Sequence, residues 1–387
     1  MEELLNYDDS IDVYDFFSGC GGTSAGLREA GMNIKLGLDF DTYAAKTFRR
    51  NFPEAEFICK DISSIEPKDL EKYIDKNPAV RKRKILFTGC APCQPFSVLN
   101  RWNNRSEEET TDEKELEKRR KKAEEHKKKE SLLFEFIRFI EHFLPDFIFV
   151  ENVPGFQKIS DDHAPFAALL KVLDRLGYEY PNPKIVEMHK YGVPQRRRRI
   201  VLIASRLGNI DYPIETHDGK NIPFTTVYDK IGGENALPEI NAGTCHPDIP
   251  NHQSAGLSPL NLERIEAIKI GKNRLSLPKR LQLTCHKDKS RNGVHTDVYG
   301  RLFWHEPATG LTTRCTSLSN GRFGHPEQNR AISAREAARL QTFRDDFIFE
   351  GGINAVARQI GNAVPVELAQ KFGEKFIEHL KELILNS

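Results

Sequence analysis

Over residues 1–205, short β-branched and aromatic runs alternate with longer stretches of helical periodicity, and this alternation constrains the fold more than any other feature of the chain. A strand that leads through a helix into another strand returns parallel to the first, so the pattern predicts an α/β fold with a mostly parallel sheet covered by helices. Strands are predicted over 13–17, 34–38, 85–88, 147–150, 185–188 and 200–204, and helices near 23–30, 42–51, 132–143 and 166–176. From 206 to 330 the texture changes to Gly, Pro, Asn and Thr with few periodic runs, which reads as a smaller, loop-rich second domain. Helical periodicity returns over 366–385 and is expected to pack back on the first domain. At 387 residues the chain is long enough for two cores. Single cores seldom grow past ~250–300 residues.

The run Asp15 to Gly22 (DFFSGCGG) carries the first strand into a glycine turn and then a helix, the arrangement by which parallel sheets hold nucleotide-like ligands at strand carboxyl ends. Glycine allows the backbone to approach a ligand closely. The spacing matches neither G-x-G-x-x-G nor G-x-x-x-x-G-K-[ST], so a pyrophosphate fingerprint and a P-loop are both excluded. Asp39 follows the second strand and Asp61 follows Phe57-Ile58. An acid at such a strand end suits ribose hydroxyls, and Asp61 is equally suited to cap a helix.

Cys93 lies in Ala91 to Pro95 (APCQP), just past the apolar run Ile85 to Phe87. Pro92 and Pro95 keep that segment out of a regular helix. A free thiol titrates near ~8.5, so a cysteine nucleophile needs a cation, a base or a helix terminus beside it. Cys90 and Cys93 also form a C-x-x-C, the mark of thiol redox proteins, but that reading leaves the glycine turn and the arginine cluster without a role. No second C-x-x-C or spaced His pair follows, so no metal is expected. Glu151-Asn152 ends the apolar run 147–150, which places a carboxyl at a partly desolvated cleft where it can share a proton with a ring nitrogen. Bonding loop amides is the alternative. Gln195 to Arg199 (QRRRR) enters the apolar run 200–203, and strand alternation sets Arg197 and Arg199 on one face, Arg196 and Arg198 on the other.

Seven scattered cysteines give no disulfide framework, which fits a reducing cytosol. The acidic start shows no signal peptide, and no apolar stretch approaches the ~20 residues of a membrane span, so neither export nor membrane contact is expected. A net charge of +1 does not demand a nucleic-acid partner, yet the basic clusters at 196–199, 279–280 and 287–291 permit one. Between 107 and 130 opposite charges alternate, and pairs such as Glu115/Arg119 and Glu125/Lys129 stand in the favourable i,i+4 order of a solvated helix. That helix suits a surface spacer, or an extension of the Cys93 loop that touches DNA.

Taken in order, these blocks resemble the DNA (cytosine-5)-methyltransferase family of prokaryotic restriction-modification type. The matches are DFFSGCGG at 15–22, Asp39, Asp61-Ile62, PCQPFS at 92–97, ENV at 151–153, QRRRR at 195–199, REAARLQTF at 335–343 and GNAVP at 361–365. The resemblance implies a Rossmann-like, S-adenosylmethionine-dependent catalytic domain over 1–205, with 107–130 as a charged insertion in its catalytic loop. It implies a target recognition domain and hinge over 206–354 and a C-terminal return over 355–387. The implied reaction carries a methyl group from S-adenosylmethionine to carbon 5 of a cytosine flipped out of a specific duplex sequence. By position, Cys93 would add to carbon 6, Glu151 would contact ring nitrogen 3 and the exocyclic amine, and Asn152 would order the loop. Arg197 and Arg199 would hold the flipped base. Phe17, Gly19, Gly22, Asp39, Asp61, Ile62, Pro92, Leu132, Asn362 and Val364 would line the cofactor site. Gln94, Ser97, Arg291, Arg301, Arg314 and Arg322 are candidates for DNA contact, the four arginines being equally suited to structural roles in loops. Ala91 and Arg344 stand where proline is common in the family. The implied partners are double-stranded DNA and a cognate restriction endonuclease, with the methyltransferase itself a cytoplasmic, nucleoid-associated monomer. Two other readings stay open: a tRNA cytosine-5 methyltransferase, and a non-catalytic DNA-binding protein on the same fold.

Overall fold

Parallel strands covered on both faces need nearly continuous apolar sequence, and the centre of this sheet has it. The computed structural model describes residues 10–91, 117, 132–155, 165–283 and 296–385. In it β1 (Ile11–Phe16), β2 (Asn33–Asp39), β3 (Glu56–Cys59), β4 (Lys84–Gly89) and β5 (Phe147–Asn152) pair in parallel in the order β3-β2-β1-β4-β5. β6 (Lys184–Glu187) forms the far edge, β7 (Gln195–Arg196) leaves the sheet, and β8 (Arg198–Ser205) lies antiparallel between β5 and β6. β7 pairs instead with β9 (Ala308–Thr309), far along the chain. The expected α/β class with a mostly parallel sheet is therefore the observed one.

Successive strand residues point to opposite faces, so each strand feeds two cores. Tyr14, Phe16, Leu36, Phe87, Ile148 and Val150 face one side, where the helical run α3 at 132–143 supplies Phe136, Ile140 and Phe143. Val13, Ile34, Leu86, Phe147 and Phe149 face the other, against helices from both ends of the chain. Those helices are α1 (Gly22–Glu29) and, after α2 (Thr42–Asn51), α4 (Pro165–Arg175), α5 (Val227–Ile231), α6 (Pro259–Ala267), α7 (Ala334–Leu340) and α8 (Ile353–Asn362), the long α9 (Val366–Leu385). α1 and α9 meet through glycine: a Cβ at Gly26 would lie 2.2 Å from Val366 O and 2.6 Å from Ala369 Cβ. The C-terminal helix also lies against β5, where Phe376 meets Phe147 and Phe372 meets Phe149.

The region from 206 to 333 is loop-rich, with short helices and single helical turns. It holds one local cluster built on Ile265, Ile268, Leu277, Leu281, Val298, Tyr299, Leu318 and Ala331. Others of its buried apolar residues, including Leu302, Ala308, Leu311 and Phe323, join the core that carries α1 and α9. Composition marked the change of texture but not this shared core.

Candidate active site

The parallel strands all end on one side, and strand order reverses between β1 and β4. That reversal opens the crevice in which α/β sheets hold ligands. β1 runs into a turn with left-handed backbone at Phe17 (φ 59), Gly19 (φ 53) and Gly21 (φ 93). For Phe17 this conformation costs ~1–3 kcal/mol, so its surroundings must impose it. They do so by hydrogen bonds on the next two residues. Ser18 N–H donates to Leu38 O at 3.1 Å and Gly19 N–H to the Asp39 carboxylate at 3.0 Å. The other Asp39 oxygen accepts from Asp41 N–H at 2.9 Å, and burial pushes this carboxyl above its ordinary range. The carboxylate as a whole retains acceptor capacity for a ligand hydroxyl.

Behind the turn, Asp15 is fully buried and accepts from Ser24 Oγ at 2.6 Å and from Thr88 Oγ1, tying β1 to α1 and β4. Burial pushes its carboxyl up to about 6. Gly22 opens α1, where a Cβ would lie 2.6 Å from Val364 O, so the turn between α8 and α9 closes against this spot. Asn362 is exposed at the end of α8. Ile62 and Leu132 are buried in the cluster on which Phe17 packs. Asp61 accepts from Ser63 N–H at 3.1 Å and caps the turn Ile62–Ser64, which is the capping alternative in its geometry.

At the ends of β4 and β5 a second group assembles. The Nε of Arg199 lies 3.0 Å from Glu151 Oε1, with both side chains largely buried. Asn152 Nδ2 donates to Ala91 O at 3.2 Å, and its Oδ1 accepts from Val153 N–H at 2.9 Å, so one amide fixes both the end of β5 and the last described residue after β4. Cys90 Sγ lies 3.8 Å from Thr23 Oγ1. Burial, then the negative charges of Glu151 and Asp15, push this thiol well above the usual range, which removes the thiolate that a redox Cys90 would need. Pro92, Cys93, Gln94, Ser97, Arg291 and nearly all of the 107–130 insertion lie outside the described residues.

The arginine run alternates as expected, with Arg196 outward on Glu306 (3.0 Å) and Arg198 outward toward Glu187 (3.9 Å). The inward pair does not converge on one place. Arg199 reaches Glu151, whereas Arg197 donates to the carbonyls of Leu311 (2.9 Å), Gly361 (3.0 Å) and Ala363 (3.4 Å). The break between β7 and β8 falls at Arg197 and turns it toward β9, so the two inward arginines have different partners. Two of the DNA-contact candidates are buried in loop contacts. Arg301 is buried, and its donors go to Ile265 O, Ile268 O, His325 O, Gln328 O and Asn329 Oδ1. Arg322 is buried against Asp297 and the carbonyls of Gly271, Lys272 and Arg301. Guanidiniums committed in this way brace loops. Arg314 alone of the described candidates is exposed.

Among the described residues no group of three or more His, Cys, Asp or Glu could hold a metal ion, and no helix is long and apolar enough to cross a membrane. Residues 11–378 match the model of the family described as C-5 cytosine-specific DNA methylase. The chain belongs to this family. It is 36% identical over 377 residues to the type II methylase M.HgiDII of Herpetosiphon aurantiacus, covering 96% of this chain and 97% of that protein. It is 29% identical to the type II methyltransferase M1.HphI of Haemophilus parahaemolyticus, covering 98% and 90%. Its fold is like that of a prophage-encoded DNA modification methyltransferase of E. coli, with TM-score 0.69 and 22% identity over 98% of this chain and all (100%) of that one.

This methylase is accordingly a DNA cytosine-5 methyltransferase, and its family depends on S-adenosylmethionine. The β1–β2 end fits such a nucleoside. Asp39 offers a fixed carboxylate for a diol, and Ser18 Oγ is buried without a hydrogen-bond partner among the described residues. The tight approach of Gly22 and Val364 forms a wall of backbone. Sequence reasoning gave no role to Asp15 or to Gln195 and Gln341. Asp15 carried a readable signal, an acid inside the predicted apolar run 13–17. The two glutamines stand 146 positions apart, and nothing local announces their pairing.

Proposed function

We propose that this methylase modifies cytosine at carbon 5 within one specific duplex DNA sequence, flipping the base out of the helix and acting as a monomer in the cytoplasm alongside a restriction endonuclease of the same specificity. The observation that carries the reading is the Glu151–Arg199 pair at the end of β5, adjacent to Asn152, whose amide anchors Ala91 at 3.2 Å where the segment bearing Cys93 begins.

In this reading the Cys93 thiolate bonds to carbon 6 of the flipped ring, and the electron pair displaced from the 5,6 double bond makes carbon 5 nucleophilic. Glu151 holds a proton at ring nitrogen 3, neutralising charge that develops there as the sulfur adds. Arg199 orients that carboxyl and completes the polar wall around the ring. Asn152 keeps the base of the thiol segment in register with Glu151. Phe17, Gly19, Gly22, Asp39, Asp61, Ile62, Pro92, Leu132, Asn362 and Val364 would hold S-adenosylmethionine, which when bound supplies the electrophilic methyl group. Removal of the carbon 5 proton by a base then re-forms the double bond and expels Cys93 as thiolate. Arg314 is the described loop arginine free to face a phosphate or a base edge. A type II partner endonuclease is supported by the relatives named above.

Bisulfite sequencing of DNA from cells expressing the protein tests the product and reveals the sequence. A duplex bearing 5-fluorocytosine at that position should then trap the protein covalently, because fluorine cannot leave as a proton does, and Cys93→Ser should abolish the trap. Methylated tRNA with unmodified DNA would overturn the reading.

A further inference from the structure

A buried amide network lies between the active site and the segment after β9, and the chemistry above does not use it. Gln195 is fully buried. Its Oε1 accepts from Leu311 N–H at 2.9 Å, and its Nε2 donates to Leu340 O at 2.7 Å and to Gln341 Oε1 at 2.6 Å. Gln341, also fully buried, donates through Nε2 to Ile360 O at 2.6 Å and Ala363 O at 3.0 Å, while its main-chain carbonyl accepts from Val366 N–H at 3.2 Å. Both protons of each amide are used. Turning either amide over would set donor against donor and oxygen against oxygen, so the partners fix both orientations.

The segments held by these amides are the ones that cage Arg197. Leu311, Gly361 and Ala363 each give it a carbonyl, and Leu311 and Ala363 are each also tied to one of the two glutamines. There is no slack where the segments meet, since a Cβ at Gly361 would lie 2.1 Å from Thr312 O. The relay therefore runs in one direction, from Leu311 through Gln195 and Gln341 to the turn at 360–363, and Arg197 closes it.

We propose that Gln195 and Gln341 are positioning residues that set the cofactor-side turn at 360–364 against the segment after β9, acting through the carbonyl cage of Arg197. The inference rests on the reading that Asn362 and Val364 face the cofactor. The hydrogen bonds of Gln195 go to Leu311, Leu340 and Gln341 and not to the turn itself, so an effect of Gln195 on ligand affinity passes through the relay.

The test is calorimetric titration of the full-length protein with S-adenosylhomocysteine, for wild type, Gln195→Leu, Gln341→Met and the double variant, with thermal unfolding followed in parallel. Each single change should weaken binding about tenfold, the order expected when buried amide partners are left unpaired. The double variant should lose no more than the worse single one, because the two act as one unit. A purely structural role would lower the melting temperature but leave the affinity of the folded protein unchanged, and that result overturns the proposal. Additive losses overturn it too. Gln195→Glu, of nearly equal volume, guards against misfolding: it keeps the acceptor for Leu311 and lacks the donor when ionised. Its loss should shrink as pH falls and the protonated acid can again donate to Gln341, and a pH-independent loss counts against the relay. Failure of wild type to bind S-adenosylhomocysteine would instead sink the cofactor reading.

Discussion

Arg197 and Arg199 have the same side chain and the same parity in one arginine run, yet they serve different places. Residue type and alternation were legible in the sequence, and both arginines do turn inward. Their separation depends on the break between β7 and β8 and on carbonyls from residues 311, 361 and 363, which no local pattern can announce. Asp15 shows the converse, a residue whose chemistry follows from its surroundings once these are known. Deprived of water, its carboxyl is raised from 3.8 to about 6, with the hydrogen bonds from Ser24 and Thr88 opposing the rise and the Asp39 carboxylate adding a smaller push upward. The folded state therefore binds a proton more tightly than the unfolded chain. The resulting stability is fully present below pH 3.8 and is lost as pH rises through about 6. Asp15→Asn, which can still hydrogen-bond both hydroxyls, lacks that dependence. Its melting temperature relative to wild type should shift in the variant's favour between pH 4 and pH 7.5, as thermal unfolding at the two values would show. A difference that stays constant with pH would mean that Asp15 is not titrating in this window.

Among the elements, those with a clean period were legible and those set by contact were not. α2 and α9 have the boundaries that periodicity predicts, Thr42–Asn51 and Val366–Leu385. β3 is only four residues long with mixed exposure, and β7 and β9 are two-residue pairings that exist because distant segments meet. α7 carried a readable start, since Ser333 and Glu336 form a capping box. The contact between α1 and α9 shows what sequence could state only in part: glycine in a helix is tolerated where something comes very near. Gly26→Ala would drive a methyl group to 2.2 Å from Val366 O, which is backbone and cannot step aside without moving α9. Overpacking of this kind costs ~1–3 kcal/mol even though alanine favours helix by up to ~1 kcal/mol. The variant should unfold at lower urea concentration with little change in slope. Equal or greater stability would show that the two helices can part freely.

At the scale of the whole molecule, the change of texture at residue 206 was legible, and it invites a division into a catalytic unit and a recognition unit. The packing resists a clean cut. Ile265, Leu281, Val298 and Leu318 share a local cluster, but it is small, and Leu302, Ala308, Leu311, Phe323 and Ile332 are buried in the same core as Val13, Phe149 and Phe372. Pairing between β7 and β9 and the cage around Arg197 cross the same boundary. A fragment of residues 206–354 made alone would expose that second set of apolar side chains while keeping only the local cluster. Burial sets the scale of the loss: each large apolar side chain returned to water forfeits ~1.5–3 kcal/mol, and several together are comparable to the ~5–15 kcal/mol by which a whole domain is stable. The fragment should therefore show no cooperative thermal transition and should bind a hydrophobic dye strongly, as loosely packed states do. A sharp transition with weak dye binding would establish 206–354 as an autonomous unit. In that event the shared core and the Arg197 cage would be an interface between two independently folded bodies.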